Sequence, residues 1–196
     1  MKIYDITQEL FGGKVYPGDP APTYERVLKM SEGALCNLTS LTLGAHNGTH
    51  LDAPYHFYEE GKTVEQLDLH RCVGPCNVVD LAGMDEEELD CFLSHSQKRI
   101  LIKGDAAITL EQAKLLNRHH IVLVGVESQS VGPVDAPMAV HLELLKEEVV
   151  LLEGLVLMDI PEGEYFLSAA PLKLGGCDGA PCRAILLSFE ETDTCN

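Results

Sequence analysis

At 196 residues, with 45% apolar and 23% charged side chains, the chain can bury a core and is too apolar to be disordered. Its 14 basic against 31 acidic residues give a net charge of −17, which repels nucleic-acid phosphates and anionic membranes and excludes both as expected partners. No stretch reaches the roughly 20 apolar residues of a membrane span, and MKIYDITQEL lacks the apolar core of a secretory signal, so a cytoplasmic protein is expected.

MKIYDIT alternates and is rich in strand formers, which predicts a first strand. VYPGDPAP follows, and its three prolines with Gly-Asp make a fixed loop. Residues 24–30 and 37–43 read as strands joined through Ser31-Glu32-Gly33. The next stretch, AHNGTHLDAPYHF, places His46, Gly48, His50, Asp52, Pro54 and His56 all at even positions. Residues two apart share a face in an extended chain, so an extended or gently turning backbone aims three imidazoles and a carboxylate to one side. Imidazole and carboxylate are the usual ligands of zinc, manganese and iron, and no lysine or arginine lies among them to neutralise the aspartate. A metal site is the favoured reading; a solvated histidine-rich loop is the alternative.

Residues 59–70 are predicted to form a loop with one helical turn. CNVVDLAG and RILIKGD have strand length, and MDEEELDCFLSH between them has an acidic first turn and helical spacing. TLEQAKLLNRHH predicts a helix capped by Thr109, with Gln112 completing a capping box. IVLVGVE reads as a buried strand and SQSVGPVDAP as a loop. MAVHLELLKEE predicts a third helix with Val140, Leu144 and Leu145 on one side. His141 on that helix is either a surface histidine or a partner of the histidine stretch. Glu153 lies in the apolar run VVLLEGLVLMDI, where a carboxylate is costly unless it is paired or coordinated; a loop position beside Gly154 is the alternative. EYFLSAAPLKL, a Gly-rich turn and PCRAILLSFE add further strand character. Strands alternating with three helices predict an α/β fold, a mixed sheet with helices packed against it, over residues 1–196 as one domain. The early short strands suggest a second, smaller sheet or a barrel-like half.

Seven cysteines, two of the spacings being Cys72/Cys76 and Cys177/Cys182, do not match a zinc ribbon, so reduced and mostly buried thiols are expected.

The stretch His46-x-Gly48-Thr49-His50-x-Asp52-x-Pro54-x-His56-Phe57 resembles the signature of the cyclase family of metal-dependent hydrolases, which includes bacterial kynurenine formamidases and isatin hydrolases. The likeness extends through YPGDPAP, VGVESQSVGP, the His141–Glu153 spacing and PLKLGGCDGAPCRAILL, and so spans nearly the whole chain. The resemblance implies a swivelling β/β/α-type domain with one or two divalent metals, zinc in the formamidases and manganese in the isatin hydrolases. It implies that His46, His50 and Asp52 bind one metal and that Asp52 and Glu153 bridge to a second, which His141 also binds. His56 would transfer protons and Tyr16 would line the substrate pocket. The implied activity is hydrolysis of a small amide, N-formylkynurenine to kynurenine and formate, by a homodimer or larger oligomer. A cyclic amide or lactone as substrate, or a non-catalytic metal-binding module, are the competing readings. Tyr16 replaces a usual tryptophan, Glu127 a usual aspartate, and Ala180 and Cys182 a usual serine and valine.

Overall fold

The computed structural model of the chain describes residues 1–133 and 135–189. Its strands and helices follow one another as β1 (Lys2–Asp5), β2 (Thr23–Leu28), β3 (Leu38–Thr42), β4 (His50–Asp52), α1 (Leu69–Cys72), β5 (Val73–Asp80), α2 (Glu86–His95), β6 (Arg99–Lys103), α3 (Leu110–Arg118), β7 (Leu123–Val126), α4 (Met138–Leu145), β8 (Val150–Glu153), β9 (Gly163–Ser168), β10 (Gly179–Pro181) and β11 (Ile185–Ser188). Nine strands form one mixed sheet in the order β1-β11-β9-β5-β6-β7-β8-β4-β10, with β5, β6, β7 and β8 parallel. The parallel strands are joined by α2, α3 and α4, as parallel pairing requires a crossover.

Alternation along the central strands divides the core in two. Ile100 and Ile102 of β6 and Val124 and Val126 of β7 face the helices, where Leu89, Leu93, Leu116, Val140 and Leu144 cover them. Leu101, Leu123, Val150 and Leu152 face the other way and pack with Ile6, Leu167, Ala180 and Leu186. That second cluster joins residues from both ends of the sheet, because the sheet curls. The Ile6 N–H donates to the carbonyl of Ala184, and the Ile6 carbonyl accepts from Val156 just past β8.

The helices start where the sequence predicts. Thr109 and Gln112 make the expected capping box at α3, and Asp85 and Glu88 make another at α2. The predicted helical turn in residues 59–70 is a 3₁₀ turn at Val64–Gln66 followed by α1. The predicted smaller sheet is only the hairpin β2-β3, whose residues are all exposed. Barrel-like closure comes instead from the curl of the large sheet. Cys72 and Cys76 are buried, Cys177 and Cys182 half-buried, and Cys36 and Cys91 exposed, all as free thiols; Cys195 lies outside the described residues. Burial pushes the Cys72, Cys76 and Cys182 thiols up to about 12, so they are poor nucleophiles and poor metal ligands at neutral pH.

Candidate functional site

β4 runs antiparallel to β8 with His50 opposite Glu153 and Asp52 opposite Leu151. Since Leu51 points into the curled side of the core, His50 and Asp52 point to the helix side, where α4 lies. Glu153 shares the helix-facing side with Leu151. Helix α4 buries Val140, Leu144 and Leu145 and with them His141, which is only 3% exposed. Both alternatives left open for these residues are thereby removed: His141 is not a surface histidine, and Glu153 is not a loop carboxylate but the buried end of a strand.

The even-number pattern holds for a smaller stretch than an extended chain would give. Only His50–Asp52 is strand. His46 reaches the cluster from a turn, and Pro54–His56 is a 3₁₀ turn that swings His56 back over it. The cause is local: Gly48 sits at φ +66°, which ends extension on one side, and Pro54 opens the turn on the other. Phe57 stacks on the ring of His141 at 4.6 Å, and the Tyr58 hydroxyl donates to the carbonyl of Leu142, which ties this turn to α4.

Two glycines let the strands meet. A Cβ on Gly154 would lie 2.7 Å from the carbonyl oxygen of Gly48, and Gly154 has φ +70°. The buried Thr49 hydroxyl donates to the Gly154 carbonyl at 2.5 Å and accepts from the Gln8 N–H at 2.9 Å. Gly154→Ala combines a left-handed backbone with a backbone clash, so a loss of at least about 1 kcal/mol is expected in denaturant melts. An unchanged midpoint would show that the two loops are not packed this tightly.

The ring tautomers are set from outside the cluster. His50 Nδ1 donates to the Gly48 carbonyl at 3.0 Å, and His141 Nδ1 donates to the Pro137 carbonyl at 2.9 Å. Each ring therefore turns Nε2 inward. His50 Nε2 stands 3.4 Å from Asp52 Oδ1 and 3.4 Å from Glu153 Oε2. His141 Nε2 stands 3.4 Å from Glu153 Oε1 and 3.7 Å from Asp52 Oδ2. Glu153 Oε1 also accepts the Val131 N–H at 2.8 Å. His46 Nδ1 lies 2.8 Å from Asp52 Oδ1 and its Nε2 lies 2.7 Å from Asp178 Oδ2. Potential ligand atoms of His50, Asp52 and Glu153 fall within 4.8 Å of one another, as do those of His46, Asp52 and His56, and Asp52 belongs to both groups.

The residues fit a divalent cation. His50 Nε2 and Asp52 Oδ2 are buried polar atoms with no hydrogen-bond partner. Such atoms are costly unless something else satisfies them. Without a cation, protons do part of that work. Burial opposes charge on His50, but Asp52 and Glu153 raise its pKa to about 10. Burial likewise opposes charge on His46, but Asp52 and Asp178 raise it to about 9. His141 is shifted upward as well, against its burial, by Glu153 and Asp52. Asp52 is held well below the usual carboxylate range, against its burial, by His46 and His50.

These shifts give a signed expectation. A histidine whose folded pKa lies above its ordinary 6.5 contributes stability that is complete below 6.5 and is lost as pH rises through the raised value. The chelated protein should therefore melt at falling temperature as pH rises from 6.5 through about 9 to 10, and zinc should abolish the fall. Differential scanning calorimetry with and without chelator measures it; a flat profile in the chelated protein contradicts the paired-imidazolium picture.

A cavity of about 160 Å³ opens over the cluster, lined by Tyr16, Asp19, His46, His50, His56, Phe57, Gln129, Ser130, Pro137, His141 and Glu153. Tyr16 lies in the cavity wall. Of the seven residues expected at the site, all seven are gathered here. Asp178, Asp19, Phe57, Gln129 and Ser130 were not foreseen. Asp178 had a faint signal, a lone aspartate between two glycine-bearing turns in GGCDGAP. Ser130 had none; its buried Oγ has no hydrogen-bond partner.

Curled mixed sheet and buried imidazole–carboxylate cluster together define an α/β protein with a candidate divalent-metal centre at the sheet–helix junction. Comparison with known proteins narrows this. Residues 4–133 match the model of the Cyclase family, described as putative cyclase. The chain is 36% identical over 201 residues to a kynurenine formamidase of Erythrobacter litoralis, covering 94% of this chain and 93% of that one. It is 33% identical over 202 residues to a kynurenine formamidase of Bacillus anthracis, covering 94% and 97%. A solved structure described as a potential metal-dependent hydrolase with cyclase activity superposes with a TM-score of 0.80 at 31% identity, covering 94% of this chain and 96% of that one. An isatin hydrolase bound to the product analogue thioisatinate shares the fold with a TM-score of 0.81 at 22% identity, covering 95% and 92%. The chain belongs to the Cyclase family.

Proposed function

We propose that this protein is a metal-dependent hydrolase of small amides, an arylformamidase that converts N-formylkynurenine to kynurenine and formate. The observation that carries the reading is the convergence of two inward-turned imidazole Nε2 atoms on two buried carboxylates beneath a cavity. The kynurenine formamidases matched over more than nine-tenths of the chain supply the substrate. In this reading His46, His50 and Asp52 hold one divalent ion, and Asp52, His141 and Glu153 hold a second, both zinc, with manganese as the alternative. Residues 1–196 act as one domain in the cytoplasm.

A bound divalent ion supplies Lewis-acid polarisation of the scissile carbonyl and a lowered pKa for water. The chain's own groups do the rest. Val131 N–H and the carbonyls of Gly48 and Pro137 fix Glu153, His50 and His141, so the site is organised before substrate arrives. Phe57 and Tyr16 offer apolar ring surface to an aryl group, and Ser130 offers a hydroxyl. His56, half-buried at the cavity wall, takes a proton from the attacking water and returns it to the departing amine nitrogen. The C–N bond breaks as the carbonyl carbon gains oxygen, and formate and the arylamine leave.

We read the protein as a homodimer. Tyr24, Val27, Leu28, Leu38 and Leu41 of the hairpin are 41–58% exposed, and a two-stranded hairpin is marginal when uncovered.

Turnover of N-formylkynurenine, isatin and simple aryl esters, with and without chelator, tests the function. The reading expects N-formylkynurenine to be preferred and all turnover to stop on chelation. Preference for isatin would move the substrate to a cyclic amide on the same residues; turnover of none of them would overturn the reading.

A further inference from the structure

We propose that Asp178 is a positioning residue that sets the ring tautomers of both His46 and His56. This deepens the reading above, since it rests on His56 moving the proton. One carboxylate oxygen, Asp178 Oδ2, lies 2.7 Å from His46 Nε2 and 3.2 Å from His56 Nδ1. The two rings lie 4.2 Å apart, tilted by 37°, with this oxygen serving both. An ionised carboxylate only accepts, so both nitrogens facing it carry protons. A carboxylate with a side chain as exposed as that of Asp178 is ionised at neutral pH.

The consequence differs for the two rings. His46, held as Nε2–H by Asp178, faces Asp52 Oδ1 with Nδ1 at 2.8 Å, so Nδ1 is the nitrogen that would give up its proton to a cation there. This is the carboxylate–histidine–metal arrangement that raises ligand basicity and fixes orientation. His56, protonated at Nδ1, keeps Nε2 as its free proton acceptor. One side chain thus assigns one imidazole to hold a cation and its neighbour to move protons.

The backbone holds Asp178 in register for this task. Its carbonyl accepts the Ala53 N–H at 2.9 Å, and the next residue, Gly179, pairs with Asp52 across β4 and β10. A Cβ on Gly179 would lie 2.8 Å from His46 Cε1, so the segment rests directly against the ring. The Asp178 side chain itself is 40% exposed, so removing it leaves the core intact.

The test is nitrogen NMR of the full chain labelled with ¹⁵N-histidine, recorded in alkaline buffer, zinc-loaded and chelated; His56→Gln assigns the His56 signals by their loss. In the unaltered protein His56 should show Nδ1–H with a bare Nε2. In Asp178→Ala the ring should move toward the Nε2–H form that free histidine favours. Asp178→Asn carries the same comparison should the alanine variant fail to fold. In the active, zinc-saturated enzyme kcat should fall about 10- to 100-fold with KM within about twofold, as outer partners of metal sites do, and Asp178→Glu should recover part of the loss. His56 found as Nε2–H in the unaltered protein, or unmoved in both variants, overturns the inference. A protein that hydrolyses no amide yet shows the Nδ1–H form loses the proposed function and keeps the role of Asp178. An active enzyme whose His56 tautomer ignores Asp178 does the reverse.

Discussion

Replacing His56 by alanine should stop turnover and leave bound metal near the level of the unaltered protein. General acid–base catalysis contributes roughly 10²- to 10⁴-fold, and the loss in kcat should fall in that range. The separation of the two effects follows from where His56 sits. His50, Asp52, His141 and Glu153 are at most 3% exposed and are locked by strand pairing or by helix packing. His56 is on the 3₁₀ turn after Pro54, its side chain 28% exposed, and its Nδ1 is taken by Asp178. It is placed to touch a ligand in the cavity, while its removal leaves His46, His50 and His141 on the buried carboxylates. Metal analysis beside steady-state kinetics reads both quantities. If His56→Ala loses metal and His46→Ala keeps metal and activity, the two roles are exchanged.

Asp52→Asn should do the opposite and abolish metal and activity together. Asp52 is the one side chain common to both groups of potential ligands, facing His46 and His50 through Oδ1 and His141 through Oδ2. An amide in its place removes one of the two buried carboxylate charges and offers the rings a donor, so Glu153 alone is left to offset a cation. The loss of affinity should exceed the roughly 10- to 100-fold typical of changes one layer further out. Retention of metal at the stoichiometry of the unaltered protein would show that Asp52 pairs with histidines and no more.

What could be read from the sequence differed by the distance between the interacting parts. The helix at Leu110 announced itself through capping residues three apart and the helix at Glu86 through its acidic first turn and helical spacing, both local codes. His50 and Asp52 shared a face because a strand alternates. Alternation alone does not place His46 and His56, which arrive through turns whose geometry depends on Gly48 and Pro54 and on what they pack against. That His141 and Glu153 join them was carried by resemblance, not by pattern: both sit in apolar runs where the burial of α4 and β8 decides their direction. The closing curl of the sheet was also out of reach, since it rests on contacts such as Ile6 with Ala184, far apart in the chain. Asp178 was passed over because an aspartate among glycines reads as a turn, and its meaning appears only once β10 is laid beside β4.

The most direct measurement is a metal titration of the stripped protein. Chain freed of metal by chelation should hydrolyse no N-formylkynurenine, and activity should return in proportion to bound zinc, saturating at two ions per chain. Hydrolysis undiminished in protein shown by elemental analysis to be free of metal would contradict the account, because the gathered imidazoles and carboxylates would then be serving some other end.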